Sequence, residues 1–284
     1  MNNAVDVINF HLTEKCNYKC TYCFAKFNNE QELTLDEWIK TVDIVDKYFK
    51  KNFIVNGRIN LAGGEPLVVN YLDELIDYIN SLDIKVSIIT NASLLTKEKI
   101  IAWIGKVDTI GISIDSSNRE TNLLIGRHCN GNTIEISNLL EMLSFAKENN
   151  IKIKINTVVS KFNLHEDISS LYKQIRFDRI KLLQVRFNND CNESAINYGI
   201  SSNEFNEYSS QLNSYDGIII ESEDMMECSY VIIDPKGNLI SNKGNLHKKI
   251  GSVFGTNLEE LIAIAEINYE TFMKRYQTGK GVNR

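Results

Sequence analysis

The sequence predicts an α/β fold on a parallel sheet, because apolar runs of strand length alternate with longer segments of helical period. Two further observations agree with this. Glycine-bearing and polar segments fall where the strands end, and two prolines in 284 residues leave no proline-rich linker to divide the chain. The first strand is the apolar run 5–12, and a cysteine-bearing loop follows it directly. A helical period over 34–51 leads to strand 59–62, which runs into Gly63-Gly64. Helix 71–82 precedes strand 85–90, helix 96–104 precedes strand 109–114, and helix 132–149 precedes strand 151–159. Helix 165–176 and strand 180–187 complete a series of six strands, which implies parallel pairing through right-handed crossovers. After 187 the alternation stops. The Asn-rich stretch 188–203 reads as a loop and 201–215 as a helix. A hairpin is expected from 228–233 and 238–241 across Pro235-Lys236-Gly237, and 257–276 reads as helical. The pattern closes as an open doubly wound sheet or as a partial or full TIM-like barrel, and both collect ligands at the carboxyl ends of the strands.

Composition removes several function classes. Apolar residues at 43% and charged residues at 24% suit a globular chain with a real core. The formal charge of -6 and pI near 5.4 argue against a general nucleic-acid or anionic-membrane surface, while leaving room for a basic pocket that takes a small anion. No run approaches the ~20 apolar residues of a membrane span. The start, Met1-Asn2-Asn3-Ala4-Val5-Asp6, lacks the basic and apolar regions of a signal peptide. A cytoplasmic location is therefore expected, where six cysteines serve as metal ligands or free thiols rather than as a disulfide framework.

Three cysteines, Cys16, Cys20 and Cys23, fall within eight residues just after the first strand. Their thiolates can converge on one small object but cover only three of its corners. Structural zinc takes four protein ligands, so a zinc site would need His11 or a distant cysteine to complete it. A cubane iron–sulfur cluster normally takes four cysteines, and with three one iron keeps an open position. The spacing Cys-x3-Cys-x2-Cys, with an aromatic residue, Tyr22, before the last cysteine, resembles the signature of radical S-adenosylmethionine (radical SAM) enzymes. That resemblance implies one 4Fe-4S cluster on Cys16, Cys20 and Cys23, with S-adenosylmethionine as cofactor. It also implies a partial (βα)6 TIM-like barrel over 1–187, with a C-terminal extension over 188–284 that packs on the barrel and covers the substrate.

Other strand ends carry polar residues that either terminate the strand and cap the next helix or face a ligand. Ala62-Gly63-Gly64-Glu65-Pro66 resembles the superfamily's GGEP segment, although a turn would use the same residues. Asn91 closes the third strand, and Ser113 and Asp115 lie near the end of the fourth. By resemblance, Tyr22, Gly63, Gly64, Glu65, Asn91, Ser113, Arg127 and Asn156 surround S-adenosylmethionine, with Arg127 on its carboxylate.

In Ile151-Lys152-Ile153-Lys154-Ile155-Asn156 the two-residue period puts isoleucines on one face and Lys152, Lys154 and Asn156 on the other. The outward face of a barrel strand packs under helices, so the lysines are expected to point inward, as are Arg179 and Lys181 on the next strand. No carboxylate run nearby pairs these cations, and buried charge is costly unpaired. A triphosphate would satisfy them; an edge strand with a solvated basic face is the alternative.

Four runs are similar to the viperin family: 16–20, Asn122-Leu123-Leu124-Ile125-Gly126-Arg127, 154–163, and Ser229-Tyr230-Val231-Ile232-Ile233-Asp234. The likeness extends from about Asn9 to about residue 275 and is to the soluble prokaryotic branch. It implies conversion of a ribonucleoside triphosphate, CTP first and UTP or GTP next, into its 3′-deoxy-3′,4′-didehydro form, a terminator of viral polymerases. A 5′-deoxyadenosyl radical takes the C4′ hydrogen, the 3′-hydroxyl is lost, and one further reduction leaves the alkene. Electrons would come from a donor such as flavodoxin or ferredoxin. His11, Arg58, Asn60, Lys154, Arg179, Lys181 and Lys249 then match substrate-binding positions. Tyr230 matches a tyrosine beside the ribose; a core aromatic on a strand reads equally well from sequence. The tail, 279–284, is shorter than the family's, which closes over the nucleotide. Two rivals stand beside this reading: a peptide-modifying radical SAM maturase, for which Cys228 alone is a poor C-terminal cluster motif, and a non-catalytic iron–sulfur or zinc scaffold.

Overall fold

A computed structural model describes residues 4–27, 31–212, 214–215 and 217–277. Strand β1 (Val7–His11) is buried along its whole length. Helix α1 (Leu35–Lys51) follows, started by a reciprocal cap in which the Thr34 and Glu37 side chains each accept the other's backbone N–H. Its buried Trp38, Val42, Val45 and Phe49 recur at helical spacing, and Trp38 stacks on Phe10 of β1 with ring centroids 5.0 Å apart. The repeat continues through β2 (Arg58–Ala62), α2 (Leu72–Ser81), β3 (Lys85–Thr90), α3 (Lys97–Trp103) and β4 (Val107–Ser113). Helices α4 (Arg119–Ile125) and α5 (Ile136–Glu148), then β5 (Lys152–Val159), α6 (Ser169–Tyr172) and β6 (Arg179–Gln184), complete the expected six-strand core.

The six strands pair in parallel in chain order, as a partial βα barrel requires. Ile59, Leu61, Val86, Ile88, Ile110, Ile112, Ile153, Ile155, Ile180 and Leu182 are fully buried. The alternate positions, among them Asn9, Asn60, Gly111, Lys154, Asn156 and Lys181, share the opposite face, the barrel interior. Lys152 departs from the expected inward pattern. It opens β5, is exposed, and pairs with Asp108 at 3.0 Å.

The C-terminal extension does more than pack on the barrel. After α7 (Ser202–Ser210), strand β7 (Ile218–Glu221) joins β6 in parallel, and α8 (Glu223–Met226) leads to β8 (Ile232–Ile233), which joins β1 in parallel. Strands β9 (Asn238–Ser241) and β10 (Lys248–Ser252) add an antiparallel meander, giving the order β10-β9-β8-β1-β2-β3-β4-β5-β6-β7. Helices α9 (Leu258–Ile264) and α10 (Tyr269–Gln277) follow. Six parallel strands leave both edges with unpaired backbone groups, and the extension satisfies both. The helix expected over 201–215 ends at Ser210, whereas α4, β7 and β10 were not anticipated. Among the described residues no helix is long and apolar enough to cross a membrane.

Candidate active site

The loop after β1 is clamped by glycines from two other loops. Gly64 N–H donates to the Thr13 carbonyl at 2.7 Å and Glu65 N–H to that of Lys15 at 2.9 Å. On the other side Lys19 and Thr21 donate to the carbonyls of Gly126 and Ile125 at 3.1 and 2.9 Å. A Cβ on Gly64 would lie 2.2 Å from the Lys15 carbonyl oxygen, and one on Gly126, at φ +85°, would lie 2.3 Å from that of Lys19. Gly64, expected to admit a ligand, thus admits first the backbone of the cysteine loop itself, and Gly126, which carried no such expectation, does the same.

Cys16, Cys20 and Cys23 line one cavity of about 240 Å³ at the carboxyl ends of the strands. Its wall also carries Asn91, Ser113, Arg127 and Asn156, with His11, Asn60, Lys154, Lys181 and Tyr230 deeper along the strands. A larger trough of about 430 Å³, between the turns at the amino ends of β3–β5, holds none of the candidate residues. Burial pushes the Cys16 thiol up and that of Cys20 up to about 11, as expected of thiols with no cation bound. Asn91 Nδ2 lies 3.8 Å from Cys16 Sγ and donates to Asn17 Oδ1 at 2.9 Å. Cys191 brings its thiol to the Phe24 carbonyl at 3.5 Å, beside the loop. Among the described residues no set of three His, Cys, Asp or Glu side chains is arranged to hold a single metal ion.

Two buried carboxylates organise the upper wall. Asp115 accepts the Tyr22 hydroxyl at 2.5 Å and the Val158 N–H at 2.7 Å, and it ion-pairs with Nε of Arg127. Tyr22 and Arg127 are therefore oriented by Asp115, a residue to which the sequence reading gave no role. Glu65 differs from its expected place against a ligand. It is fully buried, does not line the cavity, and accepts from Thr90 Oγ1 at 2.6 Å and from the N–H groups of Asn91 and Leu67 at 2.8 and 3.1 Å. Its oxygens tie the end of β2 to the end of β3.

The lower wall is cationic. Lys154 is half-buried, makes no ion pair among the described residues, and is held well below the usual lysine range by desolvation and by Lys181, Arg58 and Arg179. Gly111 makes room for it: a Cβ there would come within 2.9 Å of Lys154 Cε. Lys181 corrects the expectation that no carboxylate pairs these cations. It meets Glu221 of β7 at 2.5 Å, yet burial still brings it down to about 8. Glu221 also pairs with Arg275 of α10 and accepts the Tyr230 hydroxyl at 2.8 Å. Burial works to raise this carboxyl, but Lys181 and Arg275 hold it below the usual range. The Arg275 guanidinium carbon stands 3.2 Å from the centre of the Tyr230 ring.

Arg58 and Arg179 do not reach the cavity wall. Tyr276 of α10 does, with Arg58 5.9 Å and Lys181 5.8 Å from its ring centre. Arg58 Nε is buried without a partner among the described residues. Asn60 donates to Asn9 at 2.8 Å and so faces the cavity as expected. His11 does too; its Nδ1 is buried with no partner among the described residues, and burial, with His247, lowers its pKa to about 3, so the ring is neutral. Lys249 departs from expectation: it lies exposed on β10, away from the cavity wall, because that strand is the outer edge of the meander. The tail 279–284 lies outside the described residues.

Residues 10–175 match the family model described as the Radical SAM superfamily. The chain is 33% identical over 307 aligned positions to an S-adenosylmethionine-dependent nucleotide dehydratase of Fibrobacter sp. (strain UWH6), covering 98% of this chain and 90% of that one. It belongs to this radical SAM family. Another relative of the same name, from Flammeovirga pacifica, is 31% identical over 96% of this chain and 95% of its own. The relative named nucleotide dehydratase RSAD2 from Siniperca chuatsi is 26% identical over 94% and 77%. The crystal structure of Streptococcus suis SuiB bound to precursor peptide SuiA superposes with a TM-score of 0.70 at 16% identity, over 92% of this chain and 65% of that longer chain. At that identity the likeness is one of fold.

The radical SAM residues fit the group that the family implies. Three thiols and no fourth cysteine of the same loop face the cavity mouth, and the loop's backbone is fixed on both sides. Beyond them lie amide, hydroxyl and guanidinium groups suited to an amino acid's charged ends.

Proposed function

We propose that this radical SAM protein dehydrates a ribonucleoside triphosphate, CTP first, to the 3′-deoxy-3′,4′-didehydro nucleotide. The observation that carries the reading is Lys154, a half-buried lysine without an ion pair among the described residues, on the wall of the cavity whose mouth bears Cys16, Cys20 and Cys23. A lysine drawn into a cavity beside Lys181 with no ion pair of its own calls for an anion, and a triphosphate supplies several charges. Inward hydroxyl and amide groups alone would not distinguish a nucleotide from a peptide; this cation favours the nucleotide.

The three cysteines would hold a 4Fe-4S cluster with one iron open to S-adenosylmethionine, and the pair would supply one-electron chemistry and a radical able to take a hydrogen atom from carbon. Asn91, Ser113, Arg127 and Asn156 would hold the methionine and ribose parts of that cofactor, with Asp115 fixing the Arg127 fork. Lys154 and Lys181 would grip the triphosphate, and Arg58 and Arg179 would add long-range attraction from behind Tyr276. Tyr230, its hydroxyl committed to Glu221, would present its ring edge beside the substrate ribose. By holding both ends of the nucleotide, these residues would fix the ribose against the cofactor's side of the cavity, and such proximity would select the hydrogen that is taken.

The test is anaerobic reconstitution, reduction, and incubation with S-adenosylmethionine and the four ribonucleoside triphosphates. One triphosphate should lose the mass of a water while 5′-deoxyadenosine accumulates. Cofactor cleavage with all four triphosphates intact would reject the substrate class.

A further inference from the structure

The nucleotide reading leaves the base without a partner, and a side chamber of the cavity offers one. This chamber, about 90 Å³, adjoins the main cavity, with which it shares Tyr22, Phe24, Val158, Leu183, Tyr230 and Ile232. Its walls are mainly apolar and aromatic, as a flat ring requires. Two of its polar side chains are already spent. Gln184 donates to the Ile200 carbonyl at 2.9 Å and accepts the Glu223 N–H at 3.1 Å; Asn242 donates to the Met226 carbonyl and accepts the Cys228 N–H, both at 2.8 Å.

Arg186 is different. Its Nη2 donates to the Asn242 carbonyl at 2.8 Å and to Asn245 Oδ1 at 3.2 Å, and its Nε lies 3.3 Å from the same Asn245 oxygen. Its Nη1 is buried with no partner among the described residues. Glu223, Asp224 and Glu227 lie within electrostatic reach, but none is within ion-pair distance in the described residues. A guanidinium clamped on one edge, with an unspent N–H on the other, is a fixed donor that lacks its acceptor. Arg186 lies two residues beyond the carboxyl end of β6, the strand whose Lys181 lines the main cavity, and it lines the side chamber.

We infer that this chamber is the base subsite and that Arg186 Nη1 donates to an exocyclic carbonyl of the base, selecting cytosine, uracil or guanine over adenine. Adenine carries an amino donor and no exocyclic carbonyl, so it would leave the guanidinium unsatisfied. This rests on the nucleoside triphosphate reading. Burial, which holds the Arg186 guanidinium below its ordinary range, is consistent with a donor that gains from an acceptor.

The test is calorimetric binding of CTP, ATP and inorganic tripolyphosphate to the reconstituted holoenzyme, in the wild type and in Arg186→Met. The wild type should prefer CTP to ATP by about tenfold or more, the scale of one hydrogen bond to a charged group. Arg186→Met should erase that preference and leave tripolyphosphate unchanged. Asn245→Gly provides a second route, because Asn245 has φ 57°, which glycine adopts freely, and the change removes the Asn245 half of the clamp while the Asn242 carbonyl remains. It should blunt the preference while tripolyphosphate binding holds. An equal loss for all three ligands in Arg186→Met would make Arg186 a phosphate ligand or a structural support. An unchanged preference would remove it from the base subsite. A wild type that binds tripolyphosphate and CTP but does not discriminate against ATP would overturn the inference and spare the nucleotide reading. Failure to bind any triphosphate would end both.

Discussion

Replacing Glu221 by Gln keeps the shape of the node between β7, β6 and α10 and deletes its charge. In the native fold this carboxylate is fully buried and faces Lys181 at 2.5 Å, Arg275, and the Tyr230 hydroxyl at 2.8 Å. The two cations respond differently to its loss. Lys181, already brought down to about 8, can shed its proton near neutral pH and limit its own cost. Arg275 cannot deprotonate and is fully buried, so it carries most of the penalty. Breaking a buried pair from one side costs about 3–5 kcal/mol, and that is the destabilisation expected of Glu221→Gln at pH 7, read from urea unfolding. The native pKa of Glu221 is depressed, so its contribution is present above the unfolded value of about 4.3 and is lost as pH falls through the lower folded value. The gap between wild type and variant should therefore not narrow between pH 7 and about 5, where recharging Lys181 in the variant adds to it, and should narrow below about 4.3 as Glu221 protonates. Tripolyphosphate should stabilise the variant more than the wild type, because it supplies the missing negative charge. A variant within about 1 kcal/mol of wild type would refute the argument.

The other predictions concern the loop and the lower wall. Cys16→Ala, Cys20→Ala and Cys23→Ala should each abolish iron retention after anaerobic reconstitution, whereas Cys129→Ala and Cys191→Ala should keep it; loss of iron in Cys191→Ala would give the cluster a fourth ligand and close its open corner. Lys154→Met should weaken nucleotide binding by about 1.5–3 kcal/mol and leave S-adenosylmethionine affinity nearly unchanged, and equal losses would dissolve the separate phosphate site. Nucleotide affinity should fall as pH rises through about 8, where Lys181, faced by Glu221, Arg275, Arg179, Tyr230 and Tyr276, loses its charge. Binding measured below that pH should take up protons, because Lys154 is held well below the usual lysine range until an anion arrives. A flat profile from pH 7 to 9 would count against both lysines as phosphate ligands.

What the sequence made legible was local or periodic. Three cysteines on one loop, glycines at the end of β2, and isoleucines alternating with Lys154 and Asn156 each carry their geometry in their spacing. What it hid depends on pairing across the chain. Glu221 ends a run of three isoleucines too short to stand out as a strand, and only the pairing of β7 with β6 brings it to Lys181. Arg275 and Tyr276 sit in a helix whose period explains Phe272 but not two polar residues turned into a barrel. Lys152 and Lys249 have the right charge, yet a strand's first residue and an outer-edge strand both face solvent. Gly63 and Gly64 were legible as close-approach positions, but their nearest neighbour is the chain's own loop.

The most direct test of the account is isotopic. Reduced holoenzyme is given S-adenosylmethionine and CTP deuterated at C4′, and the 5′-deoxyadenosine is analysed by mass spectrometry alongside the nucleotide product. The account predicts one deuterium in the 5′-deoxyadenosine for each CTP that loses water, and a nucleotide product without the label. Unlabelled 5′-deoxyadenosine formed together with dehydrated product would place hydrogen abstraction elsewhere on the ribose and contradict the positioning that Lys154, Lys181 and Tyr230 are held to provide.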